Sequence, residues 1–585
     1  MRIRSFAGAG LALLLSASAS KDALALDPPP TFGRDPGAEA DVVPGEIAVD
    51  VRDDASDAAI ADLAAAQGIA LRPNSDWSAA HDKMEVADVD PAREAAVLEA
   101  LSRDPRVESA EPMAIYRASF VPNDPLYASK QWHLQRVGAE SAWHYSCGRG
   151  VTVAVIDTGV ACFDEGPFAR GSDLAGTRCE GGYNFVERSA PPHDDHGHGT
   201  HVAGTIAQTT HNGVGTAGLA YCATLMPIKV LSKHGFGTVA SIAEGIRFAA
   251  DEGAQIVNLS LGGPIRSRVL ESAVEHAIAK GVIVVAAAGN SGREVGYPAA
   301  YPGVIAVSAT DPADALAWFS SRGPEITIAA PGVAVTQQTI CNGGRDHCEI
   351  FGTFNGTSMA SPHVAGVAAM VEALGVTDAA SVRSALTQTA RTPAAGADKQ
   401  LFGAGIVDAR AAVMRAFWSR LALRLAALGF LAWAVARRIR RRGGKTAWTP
   451  GAIVGAMWAA TGLAPWAPLV GLSPGTSGAG RWVELAMRPL GEWDLSLLGA
   501  GAHAWLLFAS ALPAFALASI AFAQPRARPF IGGLALGSAA LLTQMAAAGD
   551  VAFVGGSFLL RVFALANVGA CLWLGRISLE VRSPR

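Results

Sequence analysis

Charge is scarce in this chain of 585 residues. Asp, Glu, Lys and Arg make up only 17% of it, and the mean hydropathy is +0.26. A soluble protein of this size is rarely so apolar. Positive charge is not in excess either: 47 Lys and Arg stand against 51 Asp and Glu, a net charge of -4. That balance excludes the basic footprint of a nucleic-acid binder. No period of roughly 20 to 50 residues recurs, which excludes a solenoid. Cysteine is sparse, at seven residues. Six of them (Cys147, Cys162, Cys179, Cys222, Cys341 and Cys348) fall before residue 350. An even set suits an oxidising compartment. Cys341 and Cys348 flank a short loop and are candidates for a local bridge. Cys162 with Cys179 and Cys147 with Cys222 would complete the set, although six cysteines allow about fifteen pairings. Cys571 lies in an apolar stretch and is expected to be a lone core thiol.

The apolar excess has two locations. The first is the N-terminus, MRIRSFAGAGLALLLSASASKDALALD. Two arginines, a short apolar run and small residues up to Ala25 give the layout of a secretory signal over 1–25. The run is too short for a spanning helix. A Pro/Asp/Gly-rich linker follows over 26–43. The second location begins after residue 416. Candidate spans are 416–436, 451–471, 498–523, 530–548 and 551–575, within a membrane region over 416–577. Arg420 and Arg424 would have to snorkel from the first span. The basic segments RRIRRRGGK, QPRAR and RISLEVRSPR all fall on one side if there are five spans. The positive-inside rule makes that side cytoplasmic and puts the rest of the chain outside, anchored in a lipid bilayer. A cut near 410–418 would release it.

Two folded regions lie between these ends. Over 44–118, GEIAVDV, KMEVADV and VESAEPMAIYRA alternate as strands, and SDAAIADLAAAQG and PAREAAVLEALSRDP have helical periodicity. The order predicts a small ferredoxin-like α+β unit. Over 119–410, apolar runs such as VTVAVI, QIVNLSL and VIVVAAA alternate with helices that stop at Gly253 and Gly281. Strands buried on both faces and separated by helices predict a doubly wound, mostly parallel α/β sheet. Its active site is expected at the carboxyl ends of the strands.

Residues 193–204 read HDDHGHGTHVAG. Their histidines suggest a metal site, but neither common pattern is met. An H-x-H-x-D-H site needs Asp where Thr200 stands, and H-E-x-x-H needs Glu where HGTH has glycine. No catalytic metal is expected here. Elsewhere, Asp157 ends an apolar strand just before a Gly turn. Ser358 sits between small residues ahead of an apolar helix. Taken alone, each reads equally well as a cap. Ser358 could also be a nucleophile whose developing oxyanion faces free helix amides.

VAVIDTGV, HGHGTHVAGTIA, NLSLGG, AAAGNSG, YPGVIAVSAT, APG and NGTSMASPHVAG together resemble, in order and spacing, the signature blocks of the subtilisin-like serine proteases. The resemblance covers 119–410. It implies Asp157 as the orienting carboxylate, His198 as general base, Ser358 as nucleophile and Asn290 as side-chain oxyanion donor. Protein or peptide substrates would then be cleaved through an acyl-enzyme. Ser260, Leu261, Gly262 and Gly263 resemble the edge strand that pairs with substrate. Ala287, Ala288 and Gly289 resemble a wall of the S1 pocket. His201 is expected to be structural, His193 and His196 to be solvated, and Asp195 to support the loop. Catalysis would need no cofactor. Structural Ca2+ is common in such proteins, and TTHNGVG resembles a calcium-loop region. The 44–118 unit resembles an inhibitor-type propeptide, which would assist folding and inhibit until cut near Arg117 to Val121. Two other readings remain: a catalytically silent binding module, and a protease that regulates a membrane sensor or transporter domain.

Overall fold

The computed structural model describes residues 42–114, 120–164, 166, 168–188, 191–340, 350–393, 396, 398–475, 478–498, 503–548 and 558–581. The expected signal segment, the linker up to 41, most of the expected cut site and the Cys341–Cys348 pair lie outside the described residues. The chain forms two compact units, divided after Ala118.

In the first unit, strands β1 (Val42–Val51), β2 (Arg72–Pro73), β3 (Met84–Asp88) and β4 (Val107–Ala114) form a sheet in the order β2-β3-β1-β4. Helices Asp57–Gln67 and Glu94–Leu101 supply Leu63, Val97 and Leu101, which pack with Ile47 and Val49 of β1. This is a small α+β unit, as expected, with an additional short helix, Asp76–Ala80, between β2 and β3. The first helix starts at the Ser56 side-chain cap and stops at Gly68, whose φ of 61° is left-handed.

The second unit is built on a parallel sheet. Its strands are β5 (Thr152–Asp157), β6 (Arg178–Cys179), β7 (Tyr183–Asn184), β8 (Thr224–Lys229), β9 (Ile256–Leu259), β10 (Ile283–Ala287), β11 (Ile305–Thr310) and β12 (Ile326–Pro331). The order is β12-β11-β10-β9-β5-β8-β6, with β7 also paired to β8. Alternate residues of β5 face opposite cores. Val153 and Val155 pack with helix Thr357–Glu372 on one side, and Ala154 and Ile156 with Val239–Asp251 on the other. Helices on both faces explain why these strands read as continuous apolar runs. Two expected disulfides are present, Cys147–Cys222 and Cys162–Cys179. Cys571 is free and buried.

The last helix of the protease region does not end at its edge. Ala409–Arg441 runs unbroken for 33 residues from a cap on Asp408. Ala409, Ala412, Val413 and Ala416 pack into the main core. The expected release site at 410–418 is therefore a packed helix rather than an exposed strand of chain.

Beyond it, two of the five expected spans contain shorter helices among the described residues. Among the described residues, three helices are long and apolar enough to cross a membrane: Ala409–Arg441, Arg528–Ala548 and Phe558–Leu579. The stretch expected at 451–471 is a helix only over Pro450–Thr461, because Gly462 leaves the helical region at φ 97°. The stretch expected at 498–523 contributes Leu512–Ala521. Both are shorter than the roughly 20 residues a spanning helix needs. Small residues bring Pro450–Thr461 against Arg528–Ala548: a Cβ on Gly533 would lie 1.9 Å from the Ala452 carbonyl oxygen. Lys445–Thr446 pairs with Glu580–Val581, and Gly451 lies against Phe530. The basic stretch at 437–442, Arg528 and Arg576 therefore gather at one end of the bundle.

Arg424 does not snorkel. It is buried, donates to Gln544 Oε1 at 2.6 Å and pairs with Glu492 at 2.6 Å. The sequence separations, 120 and 68 residues, put these partners out of reach of a local reading.

Candidate active site

Asp157 is the last residue of β5, fully buried, at the carboxyl edge of the sheet. Its Oδ1 lies 2.7 Å from His198 Nδ1 and accepts from the Thr158 amide at 2.7 Å. His198 opens helix His198–Ala207. The following Gly199 is required by a close approach, since a Cβ there would meet the Gly159 carbonyl oxygen at 2.1 Å. Burial alone would depress the His198 pKa. The Asp157 charge and hydrogen bond, helped by Asp194, outweigh it and hold the imidazole above its ordinary value.

Ser358 lies in the first turn of Thr357–Glu372. A first-turn amide has no partner within its own helix. The Ser358 hydroxyl donates to the Ser260 carbonyl at 3.1 Å. His198, Ser260, Asn290 and Ser358 line one cleft of about 620 Å³. Asn290 Oδ1 accepts from the Thr357 amide at 2.8 Å and the Thr357 hydroxyl at 2.9 Å. With its oxygen held there, the amide nitrogen Nδ2 is left as a donor. Leu261, Gly262 and Gly263 also line the cleft. Gly263 pairs with Tyr297 through hydrogen bonds of 2.9 and 2.8 Å. Ala287 and Ala288 are buried behind the cleft, and Gly289 adopts φ 112°. The described lining residues include no Asp, Glu, Lys or Arg.

The residues that organise the loop differ in part from expectation. Asp194 is its hub, accepting from the Thr158 hydroxyl, the His196, Gly197 and Thr200 amides and the Thr200 hydroxyl at 2.6–3.0 Å. Asp195 instead pairs at 2.6 Å with Lys229, whose side chain is buried and also donates to the Thr158 carbonyl at 2.7 Å. His193 is not simply solvated: it stacks on Phe168 with ring centroids 4.5 Å apart. His196 is exposed, as expected. His201 is structural. It is fully buried between the Val335 and Gly352 carbonyls and stacks on Phe354, and burial lowers its pKa to about 3. Thr357 and Asp194 were missed, since a threonine or an aspartate beside a motif gives no local sign of what it bonds.

Among the described residues no group of three or more His, Cys, Asp or Glu is placed to share an ion. Two buried carboxylates do converge on the loop at 209–215. Asp124 accepts from the His211 amide at 2.8 Å, and Asp173 accepts from Asn212 Nδ2 at 2.7 Å. Burial pushes Asp173 up to about 7 and raises Asp124. Buried carboxylates with no Lys or Arg ion pair among the described residues suit a hard cation with oxygen ligands.

The sequence profile of the subtilase family matches residues 148–405. Thermitase from Thermoactinomyces vulgaris is 40% identical over 274 residues, covering 46% of this chain and 92% of its own. This chain belongs to the subtilase family. Subtilisin Savinase from Lederbergia lenta is 41% identical over 287 residues, 48% of this chain and 98% of its own. A thermophilic serine proteinase from Bacillus sp. (strain AK1) is 41% identical over 297 residues, 50% of this chain and 70% of its own. This subtilase is thus a serine endopeptidase with a parallel-sheet catalytic region. The family match stops at 405, just before the long helix that enters the bundle.

Proposed function

We propose that this subtilase is an exported, membrane-anchored endopeptidase in which Asp157, His198 and Ser358 act as the catalytic triad. The observation that carries this reading is the 2.7 Å Asp157–His198 contact in the same cleft as Ser358 and Asn290. For catalysis the Ser358 hydroxyl rotates from the Ser260 carbonyl to His198 Nε2. Such contacts often tighten only when substrate binds. Ser358 Oγ then attacks the scissile carbonyl carbon as His198 takes its proton. The oxyanion receives hydrogen bonds from Asn290 Nδ2 and the Ser358 amide. Collapse expels the amine, which receives the proton from His198, and water then hydrolyses the acyl-enzyme by the same route. Asp157 holds the imidazole tautomer and stabilises the imidazolium. The residues of 260–263 would pair with the substrate backbone.

The first unit serves as a propeptide, folding aid and inhibitor, removed by the enzyme itself near 117–121. The bundle anchors the chain in a bilayer with its basic end cytoplasmic. Asp124, Asp173, Asn123 and Asn212 would hold a structural calcium ion, with no part in the chemistry. The test is the intact mass of the exported chain as wild type and as Ser358→Ala. Loss of the first unit from the wild type alone supports the triad and self-processing. Loss from both, with no peptidase activity in the purified wild type, refutes the reading.

A further inference from the structure

The contacts between the protease region and the bundle lie at one end of the sheet. Arg149, just before β5, pairs with Glu484 and donates to the Gly475 carbonyl at 2.9 Å. The Tyr221 hydroxyl, just before β8, donates to the Pro474 carbonyl at 3.1 Å. His144 Nδ1 lies 2.7 Å from the Ser473 hydroxyl. All three residues precede the amino ends of parallel strands. A fourth attachment is at the far end of the Ser358 helix. Arg488 donates to the Ala373 carbonyl at 3.3 Å and Arg420 to the Gly375 carbonyl, so two bundle arginines meet the carbonyl-rich C-terminus of that helix.

The cleft is at the opposite end. Asp157 closes β5, Ser260 follows β9, Asn290 follows β10 and Ser358 opens its helix. Two lengths measure the separation. The six residues of β5 span roughly 20 Å, and the 16 residues of Thr357–Glu372 span about 24 Å.

The junction is also stiff. Helix Ala409–Arg441 crosses it without a break. Arg424, Arg488, Glu484 and Glu492 form a buried ion-pair network. The void between the parts is only about 60 Å³, room for a few water molecules. Its level in a bilayer follows from arginine spacing. Arg420 and Arg437 are separated by about 26 Å of helix, close to the roughly 30 Å hydrocarbon thickness. Exposed Trp466, Trp482 and Trp505 belong to the segment that joins the two short helices on the protease side of the bundle. Tryptophan favours the membrane–water interface.

We propose that the bundle holds the catalytic region upright at a fixed height, with its cleft turned away from the lipid, so that its substrates are extracytoplasmic polypeptide segments projecting roughly 20–25 Å or more beyond the headgroups. This rests on the triad assignment above. A membrane-proximal stem of a neighbouring protein is outside its reach, because a fully extended chain gains only about 3.3–3.6 Å per residue.

The test uses the full-length enzyme in phospholipid vesicles. Single-span substrates carry one cleavable sequence separated from their membrane helix by flexible spacers of about 4, 8, 16 and 32 residues. The same sequence is supplied as a soluble peptide. The proposal expects the soluble peptide to be cut, the shortest spacer to be cut at least tenfold more slowly than the longest, and a plateau beyond 16. Soluble cleavage with no dependence on spacer overturns it. Failure to cut the soluble peptide overturns the triad reading, and the proposal with it. Height is read separately by energy transfer from a dye on Phe236→Cys, at the exposed lip of the cleft, to dyes in the lipid surface. A closest approach of at least about 20 Å is expected, and direct contact with the surface overturns the proposal.

Discussion

The Thr357 amide donates to Asn290 Oδ1 at 2.8 Å. Asn290, the proposed oxyanion donor, is thereby fixed to the first turn of the helix that carries Ser358. Removing the donor, in Asn290→Ala, is expected to lower kcat roughly a hundred- to a thousandfold with little change in KM. Thr357→Val keeps the amide bond and loses the hydroxyl bond at 2.9 Å. Its kcat should fall less, about fivefold, since an orienting hydrogen bond contributes about 1 kcal/mol. Steady-state kinetics on a peptide amide would check both. Equal losses in the two variants would refute this ordering.

The pH profile should report His198. Only the neutral imidazole accepts the serine proton, so kcat/KM should rise with pH through the free-enzyme pKa. Burial lowers that value, but Asp157 outweighs it, so the inflection is expected above the ordinary value of about 6.5. Asp157→Asn removes the stabilising charge. The inflection should move down and the plateau should fall by about 10⁴. A plateau near wild type would rule out Asp157 as the orienter.

Calcium should act on stability. Burial raises the folded-state pKa of Asp173 to about 7 from 3.8. Without a cation, the protonated form is favoured on folding, and stability is lost as pH rises from about 4 through 7. A bound cation reverses that trend by stabilising the carboxylate. Calcium should therefore raise Tm at pH 8, and chelator should lower it. Asp173→Asn should abolish most of the response while leaving peptide turnover at low temperature intact. A calcium response unchanged in Asp173→Asn would place the ion elsewhere.

Half-removal of the junction network should be worse than full removal. Glu492→Gln leaves Arg424 and Arg488 without the carboxylate that both contact. Breaking one side of a buried pair typically costs about 3–5 kcal/mol, whereas replacing both sides with packed apolar groups is often neutral. In detergent, Tm should drop strongly for Glu492→Gln and partly recover when Arg424→Met is added. The residual effect reflects Arg488, which keeps Glu484 at 3.1 Å.

The residues proposed as the triad were legible as candidates before any fold was known, because each sits inside a contiguous motif. The parallel sheet was legible for a similar reason: strands buried on both faces must be apolar throughout, as β5 is. The two described disulfides were legible as pairings to test. The hydrogen-bond partners of the site were not. Asp194 rather than Asp195 holds the histidine loop, and that choice depends on which carboxylate the turn directs inward. Thr357 reaches Asn290 across 67 residues of sequence.

The C-terminal apolar region divides the same way. Apolar length marked the stretch, and its arginine-rich segments marked its basic end. It did not show where helices would break, because Gly462 ends one within an otherwise apolar stretch. Nor did it show that Arg424, which looks misplaced in a span, has Glu492 and Gln544 waiting for it. Hydropathy sums residues along a line, while a buried charge is stabilised by partners that only folding brings near. The sequence by itself determined the family, the class of reaction and the candidate groups. The tertiary structure decided how those groups are held and which way the cleft faces, since both depend on contacts between residues far apart in the chain.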